Sequence, residues 1–273
     1  MPTLLTPDVS IHYEQFGVGP DIVWVAGGGV TGEMWHGFNV PAFEATYRNT
    51  TFDNRGSGAT TCTQEPPWTI GDFARDTAAL IEARCDPPVV LVGASMGGFI
   101  VTQLALDSPD LVRCAIAIAS AACGGQGWLG DYMHAEVELR RRGGTVDGLF
   151  AVTHYAAQLF PARMLGDSAV WEDIKARFGS DTFREDWERS LVPQWEACLA
   201  FDVRARLPEC TVPLDVLGLA EDISVPPQYG QELARLAPTG SYHHVERLGH
   251  AIANATAAEA INPLIAEIVA RHR

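Results

Sequence analysis

Gly93-Ala94-Ser95-Met96-Gly97 sets one hydroxyl among small residues and glycines, where an apolar run gives way to a segment with helical spacing. A serine hydroxyl is a weak nucleophile until a base takes its proton, so such a serine needs a histidine and an acid that orients it. A sharp turn from strand to helix would hold the middle residue in strained geometry, its side chain clear of the sheet. Side chains at the two glycine positions would collide with the neighbouring strand and helix. The amide of Met96, at the helix start, points where a developing oxyanion would lie.

In this strand-turn-helix setting the partners follow in the order acid, then histidine. The stretch "VLGLAEDISVPP" offers Glu221 and Asp222 just past a later strand, and His243, His244, His250 and His272 come after them. His243 and His244 fall inside a predicted strand, one to each face, and His272 is next to the last residue. His250 ends "RLGH", where the strand stops and the chain can swing over the sheet, and is the expected base. The chemistry these residues point to is nucleophilic attack by an activated serine hydroxyl.

Strands and helices must alternate to place them. "DVSIHYEQFG" has the period-two alternation of a strand at a sheet edge. "DIVWVAGGG", "YRNTTFDNRGSG", "PVVLVG", "RCAIAIAS", "TVPLDVLGLAED" and "SYHHVERLGH" read as further strands, with "PVVLVG" apolar throughout as in a buried parallel sheet. "TIGDFARDTAALIEARC" carries Ile70, Phe73, Thr77, Leu80 and Ile81 at helical spacing, with Thr69 and Asp72 as caps. "SMGGFIVTQLALDSPDLV" and "AAEAINPLIAEIVARHR" also read as helices. This predicts an α/β fold, a doubly wound, mostly parallel sheet with helices on both faces.

Residues 124–205 break the rhythm. They are helix-rich in pattern and hold Trp128, Tyr132, Phe150, Tyr155, Phe160, Trp171, Phe178, Phe183, Trp187 and Trp195. The expectation is a core of 1–123 and 206–273 with a helical cap inserted at 124–205. Its aromatics would form a small core and the inner face of a lid over an apolar pocket. The cap's bases are Arg140, Arg141, Arg142, Arg163, Lys175 and Arg177, the first three a run that reads as a solvated helix end.

With 273 residues, 47% of them hydrophobic, the chain can bury a large core. A formal charge of −15 argues against nucleic acid or an anionic bilayer as partner, since both need a basic footprint. No stretch approaches the roughly 20 apolar residues of a membrane helix, and the N-terminus lacks a signal-peptide pattern. Six cysteines without C-x-x-C spacing favour reduced, buried thiols and a cytoplasmic location over disulfides or zinc. No cofactor and no metal are expected; the partner is a small-molecule substrate.

Together these residues resemble the α/β-hydrolase superfamily over nearly the whole chain. "GASMGG" is similar to its nucleophile elbow, and "FDNRGSG" to its D-x-R-G-x-G turn, in which Asp53 and Arg55 read as structural. "GLAEDISVPP" resembles the acid loop, whose aspartate stands four residues before a proline; that match selects Asp222. "VAGGGVTGEMW" aligns with the family's H-G loop. The resemblance implies that the Gly28 amide completes the oxyanion hole with that of Met96. Ala26 stands where the family usually has a hydrogen-bonding histidine. Ser95 argues against the dehalogenases and epoxide hydrolases of the superfamily, which place aspartate there. Enol-lactonases, small carboxylesterases and cofactor-free perhydrolases look closest. The implied catalytic set is Ser95, Asp222 and His250, acting on a compact carboxylic ester or lactone through an acyl-enzyme. C–C bond hydrolysis, perhydrolysis or a lyase or cyclase step on the same residues stay open, as does a ligand-sensing receptor that keeps the pocket without turnover.

Overall fold

Residues 22–25, 89–92 and 114–118 are apolar throughout. In the computed structural model of the protein they form the middle of a nine-stranded sheet. The structure describes residues 2–180 and 185–272, with the side chains of 177–189 outside that description. The elements run β1 (Thr3–Leu5), β2 (Val9–Phe16), β3 (Asp21–Val25), α1 (Val40–Phe43), β4 (Arg48–Phe52), β5 (Thr61–Cys62), α2 (Ile70–Arg84), β6 (Val89–Ala94), α3 (Met96–Asp107) and β7 (Val112–Ile118). Five helices follow: α4 (Gly127–Arg141), α5 (Gly148–Leu159), α6 (Ala162–Leu165), α7 (Ser168–Ser180) and α8 (Glu185–Leu199). The chain closes with β8 (Leu214–Leu219), α9 (Pro227–Leu236), β9 (Gly240–Val245) and α10 (Ala255–Arg271).

The strand order is β1-β2-β4-β3-β6-β7-β8-β9, with β5 beside β2. Pairing is parallel from β4 across to β9 and antiparallel around β2. The alternating segment Val9–Phe16 is therefore not the edge strand its pattern suggests. Three-residue β1 lies outside it, too short to register as a period in the sequence.

Alternate residues of the central strands face opposite layers, which is why these strands read as unbroken apolar runs. Val23, Leu91, Ala115 and Val216 join Phe73 of α2, Ile100 of α3 and Leu233 of α9 on one face. Ile22, Trp24, Val90, Val92, Ile116 and Leu217 join Phe43 of α1 and Ile261 and Ile265 of α10 on the other. Helix α2 starts at a reciprocal capping box. The Thr69 hydroxyl accepts from the Asp72 amide at 3.2 Å. In return, the Asp72 carboxylate accepts from the Thr69 amide at 2.7 Å.

The helices α4 to α8 leave the sheet after β7 and return before β8. The two ends of this excursion meet where Cys123 and Asp202 form an antiparallel bridge and the Gly124 amide donates to the Phe201 carbonyl at 3.0 Å. Its aromatics divide. Tyr155 is buried, Trp128 and Phe150 are exposed, and Phe178, Phe183 and Trp187 lie outside the described side chains, as does Arg177. The basic run is not uniformly solvated. Arg141 and Arg142 are exposed, but the Arg140 side chain is only 6% exposed and pairs with Glu136 at 2.5 Å and with the Tyr155 hydroxyl. One helical turn separates Arg140 from Glu136, so the run straddles the boundary between surface and interior. All six cysteines are free. Among the described residues no helix is long and apolar enough to cross a membrane.

Candidate active site

Successive strands depart in opposite directions from β3: β4 lies on one side of it and β6 on the other. Open α/β sheets form a crevice at such a switch point, beyond the carboxyl ends of the strands. Two glycine-bearing connections meet there, Ala26-Gly27-Gly28-Gly29 after β3 and Ser95 between β6 and α3. A Cβ built on Gly27 would lie 3.5 Å from the Ser95 Cβ.

Ser95 has φ 56° and ψ −119°, a backbone conformation costly for any L-residue and held in place by its surroundings. The flanking glycines are obligatory for a steric reason. A Cβ on Gly93 would stand 2.2 Å from the Gly97 carbonyl oxygen, and one on Gly97 would stand 2.2 Å from that of Val25. The tight approach leaves the Ser95 side chain nowhere to go but the crevice, where it lines a cavity together with Met96, Gly28 and His250.

His250 follows β9 by a short loop. Its Nδ1 lies 2.7 Å from Oδ2 of Asp222, whose other oxygen accepts from the Val225 amide at 2.9 Å. Asp222 is 3% exposed and sits behind the imidazole, in the loop after β8. A carboxylate at Nδ1 places the proton there and leaves Nε2 as the acceptor. Burial disfavours the imidazolium, but the charge of Asp222 and its hydrogen bond outweigh that and raise the His250 pKa above its ordinary 6.5.

The other candidates point elsewhere. Glu221 turns to Arg163, 3.2 Å away at the surface. His243 and His272 both reach buried Asp215, at 2.6 and 3.2 Å, near the amino end of β8 and so at the opposite end of the sheet from Ser95. His244 faces Tyr242 and Glu246.

Ala26 cannot supply a side-chain hydrogen bond, and the loop is tied by other means. The Ala26 carbonyl accepts from Asn54 Nδ2 at 3.0 Å, and the Gly29 amide donates to Oε1 of Gln194 at 2.7 Å. Gln194 lies in α8 and is fully buried. Asn54 fills the variable position of the "FDNRGSG" turn and Gln194 belongs to no recognisable motif; the one sequence signal for their role is the missing side chain at position 26. The turn that carries Asn54 is itself locked. Asp53 accepts from the Gly32 and Ala59 amides at 3.0 and 2.9 Å. Arg55 makes a buried two-point pair with Asp76, at 2.7 Å through Nε and 2.8 Å through Nη2, the geometry in which a guanidinium fixes a carboxylate most firmly.

The cavity measures about 780 Å³, within the range of small-molecule sites. Tyr132, Tyr155, Phe160 and Trp195 from the helical excursion line it together with Ser95. Among the described residues its wall holds one carboxylate, Asp173, and no lysine or arginine. Burial raises the pKa of the Tyr132 phenol and of the Cys198 thiol, so both lining groups stay neutral.

Comparison with known proteins gives a consistent family. Residues 22–263 match a model described as "Alpha/beta hydrolase family". A protein of Mycobacterium tuberculosis H37Rv named "Putative non-heme bromoperoxidase BpoC" is 33% identical over 251 residues, 89% of this chain and 91% of that protein. Its crystal structure superimposes with a TM-score of 0.87 at 30% identity, covering 96% of both chains. The enol-lactonase of Burkholderia xenovorans LB400 shares the fold, with a TM-score of 0.83 at 22% identity over 98% of this chain and all of that one.

Proposed function

Because the chain belongs to the alpha/beta hydrolase family, we propose that it hydrolyses a compact, mainly apolar carboxylic ester or lactone through an acyl-enzyme. One observation carries this reading: Ser95, in a strained turn, opens on the same apolar cavity as His250, whose other ring nitrogen is bonded to buried Asp222.

In the proposed cycle His250 Nε2 takes the Ser95 proton as Oγ attacks the ester carbonyl, and Asp222 stabilises the imidazolium that forms. The amides of Gly28 and Met96 receive the oxyanion. The tetrahedral adduct collapses as His250 gives its proton to the leaving alkoxide. Water, activated by the same imidazole, then releases the acid and restores Ser95. Residues 124–205 serve as a cap whose aromatic inner face confines the substrate.

The test is an activity screen over acyl esters, lactones and C–C substrates beside Ser95→Ala. The expected result is rapid ester or lactone turnover by the wild type, stoichiometric labelling of Ser95 by a fluorophosphonate, and turnover in Ser95→Ala reduced to the residual level left when a triad member is lost, about 10³–10⁴ over water. Intact turnover in that variant overturns the mechanism; tight ligand binding without turnover in the wild type overturns the enzyme reading. A second reading has peroxide in place of water as the acyl acceptor, and the relative named as a bromoperoxidase favours it. Peracid formed from acetate and hydrogen peroxide faster than esters are hydrolysed would establish that reading instead.

A further inference from the structure

We infer that Gln194 is a positioning residue for the oxyanion hole, and that the hole is in register only while α8 rests on the glycine loop. This builds on the acyl-transfer reading above. Three consecutive glycines have more backbone freedom than any other tripeptide, so a donor presented by Gly27-Gly28-Gly29 has to be aimed from outside. The aiming follows from the planarity of the peptide unit. Asn54 holds the Ala26–Gly27 peptide by its carbonyl, and Gln194 holds the Gly28–Gly29 peptide by its amide. The peptide between these two fixed planes is Gly27–Gly28, and its N–H is the donor assigned to the oxyanion.

Gln194 has no freedom of its own. Its Nε2 donates to the Arg55 carbonyl at 2.9 Å and to the Ser57 hydroxyl at 2.8 Å, both in the turn that Asp53 and the Arg55–Asp76 pair lock. The amide orientation is determined by these partners. Reversed, its NH₂ would face the Gly29 N–H and its oxygen would face the Arg55 carbonyl. The neighbouring Trp195 fills the space beside the loop: a Cβ on Gly28 would come within 3.1 Å of its indole Nε1. Two consecutive side chains of α8 thus bear on two consecutive loop glycines. Any displacement of α8 would break the Gly29 contact and release the middle peptide, so turnover is coupled to the seating of this helix.

The test uses Gln194→Met, which keeps the side-chain length and removes all three hydrogen bonds, and Ser57→Ala, which removes one. Rates with nitrophenyl butyrate are expressed per site titrated with a fluorophosphonate, so that only folded enzyme counts. In parallel, affinity is measured for a trifluoromethyl ketone. Ser95 Oγ adds to its carbonyl carbon, the carbonyl electron pair moves to oxygen, and the serine proton goes to His250, so binding reports the oxyanion site directly. In Gln194→Met we expect kcat to fall by up to about 100-fold, KM to move little, and trifluoromethyl ketone affinity to fall with kcat. Ser57→Ala should show the same split on a smaller scale. A lowered Tm with kcat per titrated site and ketone affinity unchanged overturns the inference. If Gln194→Met does not fold, unchanged kcat in Ser57→Ala does so. Full turnover in Ser95→Ala would instead remove the acyl-transfer reading and leave the question of the hole behind.

Discussion

Asp222 and Glu221 are neighbours in the chain with opposite surroundings, one buried against His250 and the other paired with Arg163 at the surface. Asp222→Asn keeps the shape and removes the charge that selects the tautomer, and should lower kcat by about 10⁴-fold. Glu221→Gln breaks an exposed pair of the kind worth about 0–1 kcal/mol and should leave turnover near wild type. Steady-state kinetics of the two variants checks this, and the reverse ranking would place the acid one residue earlier. The raised pKa of His250 has a defined consequence for pH. In the proposed cycle the His250 base must be neutral, so kcat/KM should rise with pH through a midpoint above 6.5, and Ser95 labelling should follow the same curve. The same shift stabilises the folded protein below the ordinary histidine value, a contribution lost as pH rises through the folded-state pKa. A kinetic midpoint at or below 6.5 would show that burial of the ring outweighs its pairing with Asp222.

Single elements are fixed by a few contacts that tolerate little change. The turn between β4 and β5 is organised by Arg55, whose side chain is 4% exposed and bonded to Asp76 and Gln64. Arg55→Met would strand the Asp76 carboxylate in the interior, at a cost of about 3–5 kcal/mol, measurable as a lowered denaturant midpoint. Part of the turn's chemistry is readable without a structure, because "FDNRGSG" announces a tight, charged turn. The contact this turn makes with Gln194, far along the chain, is not, since a hydrogen bond between such distant residues leaves no periodicity. Helix α3 begins where Gly97 passes under the Val25 carbonyl, and Gly97→Ala should misfold or sharply destabilise the junction of β3 and β6. Soluble yield and thermal unfolding test it; a stable, active Gly97→Ala protein would mean the junction can open to admit a methyl group.

At the scale of the whole molecule the cavity sets what can enter. Its wall has no lysine or arginine among the described residues, and side chains of α4, α5, α7 and α8 line it together with Ser95. Each buried CH₂ adds up to about 0.8 kcal/mol until the space ends. Nitrophenyl butyrate should therefore have a higher kcat/KM than nitrophenyl palmitate, and a carboxylate-bearing lactone should be a poor substrate. A series rising to palmitate would mean an open groove. Preference for the carboxylate would mean that a base of residues 124–205 enters the cavity.

The parallel sheet, its two apolar faces and the sharp Gly-x-Ser-x-Gly turn between β6 and α3 were determined by the sequence alone. Period, apolar run length and glycine placement are local properties, and local sterics decide them. The edge position of β1 escaped because three residues carry no period. The interior placement of Arg140 escaped because a charge run looks the same whether its helix is solvated all round or packed on one side. Only the tertiary structure decided which residues meet: that Ser95 and His250 share one cavity, that Glu221 turns away from it, and that Asn54 and Gln194 bind the loop Ala26 leaves without a side-chain anchor. These are contacts between distant parts of the chain. They depend on how helices seat on the sheet, and that follows from the packing of the whole core rather than from any one stretch of residues.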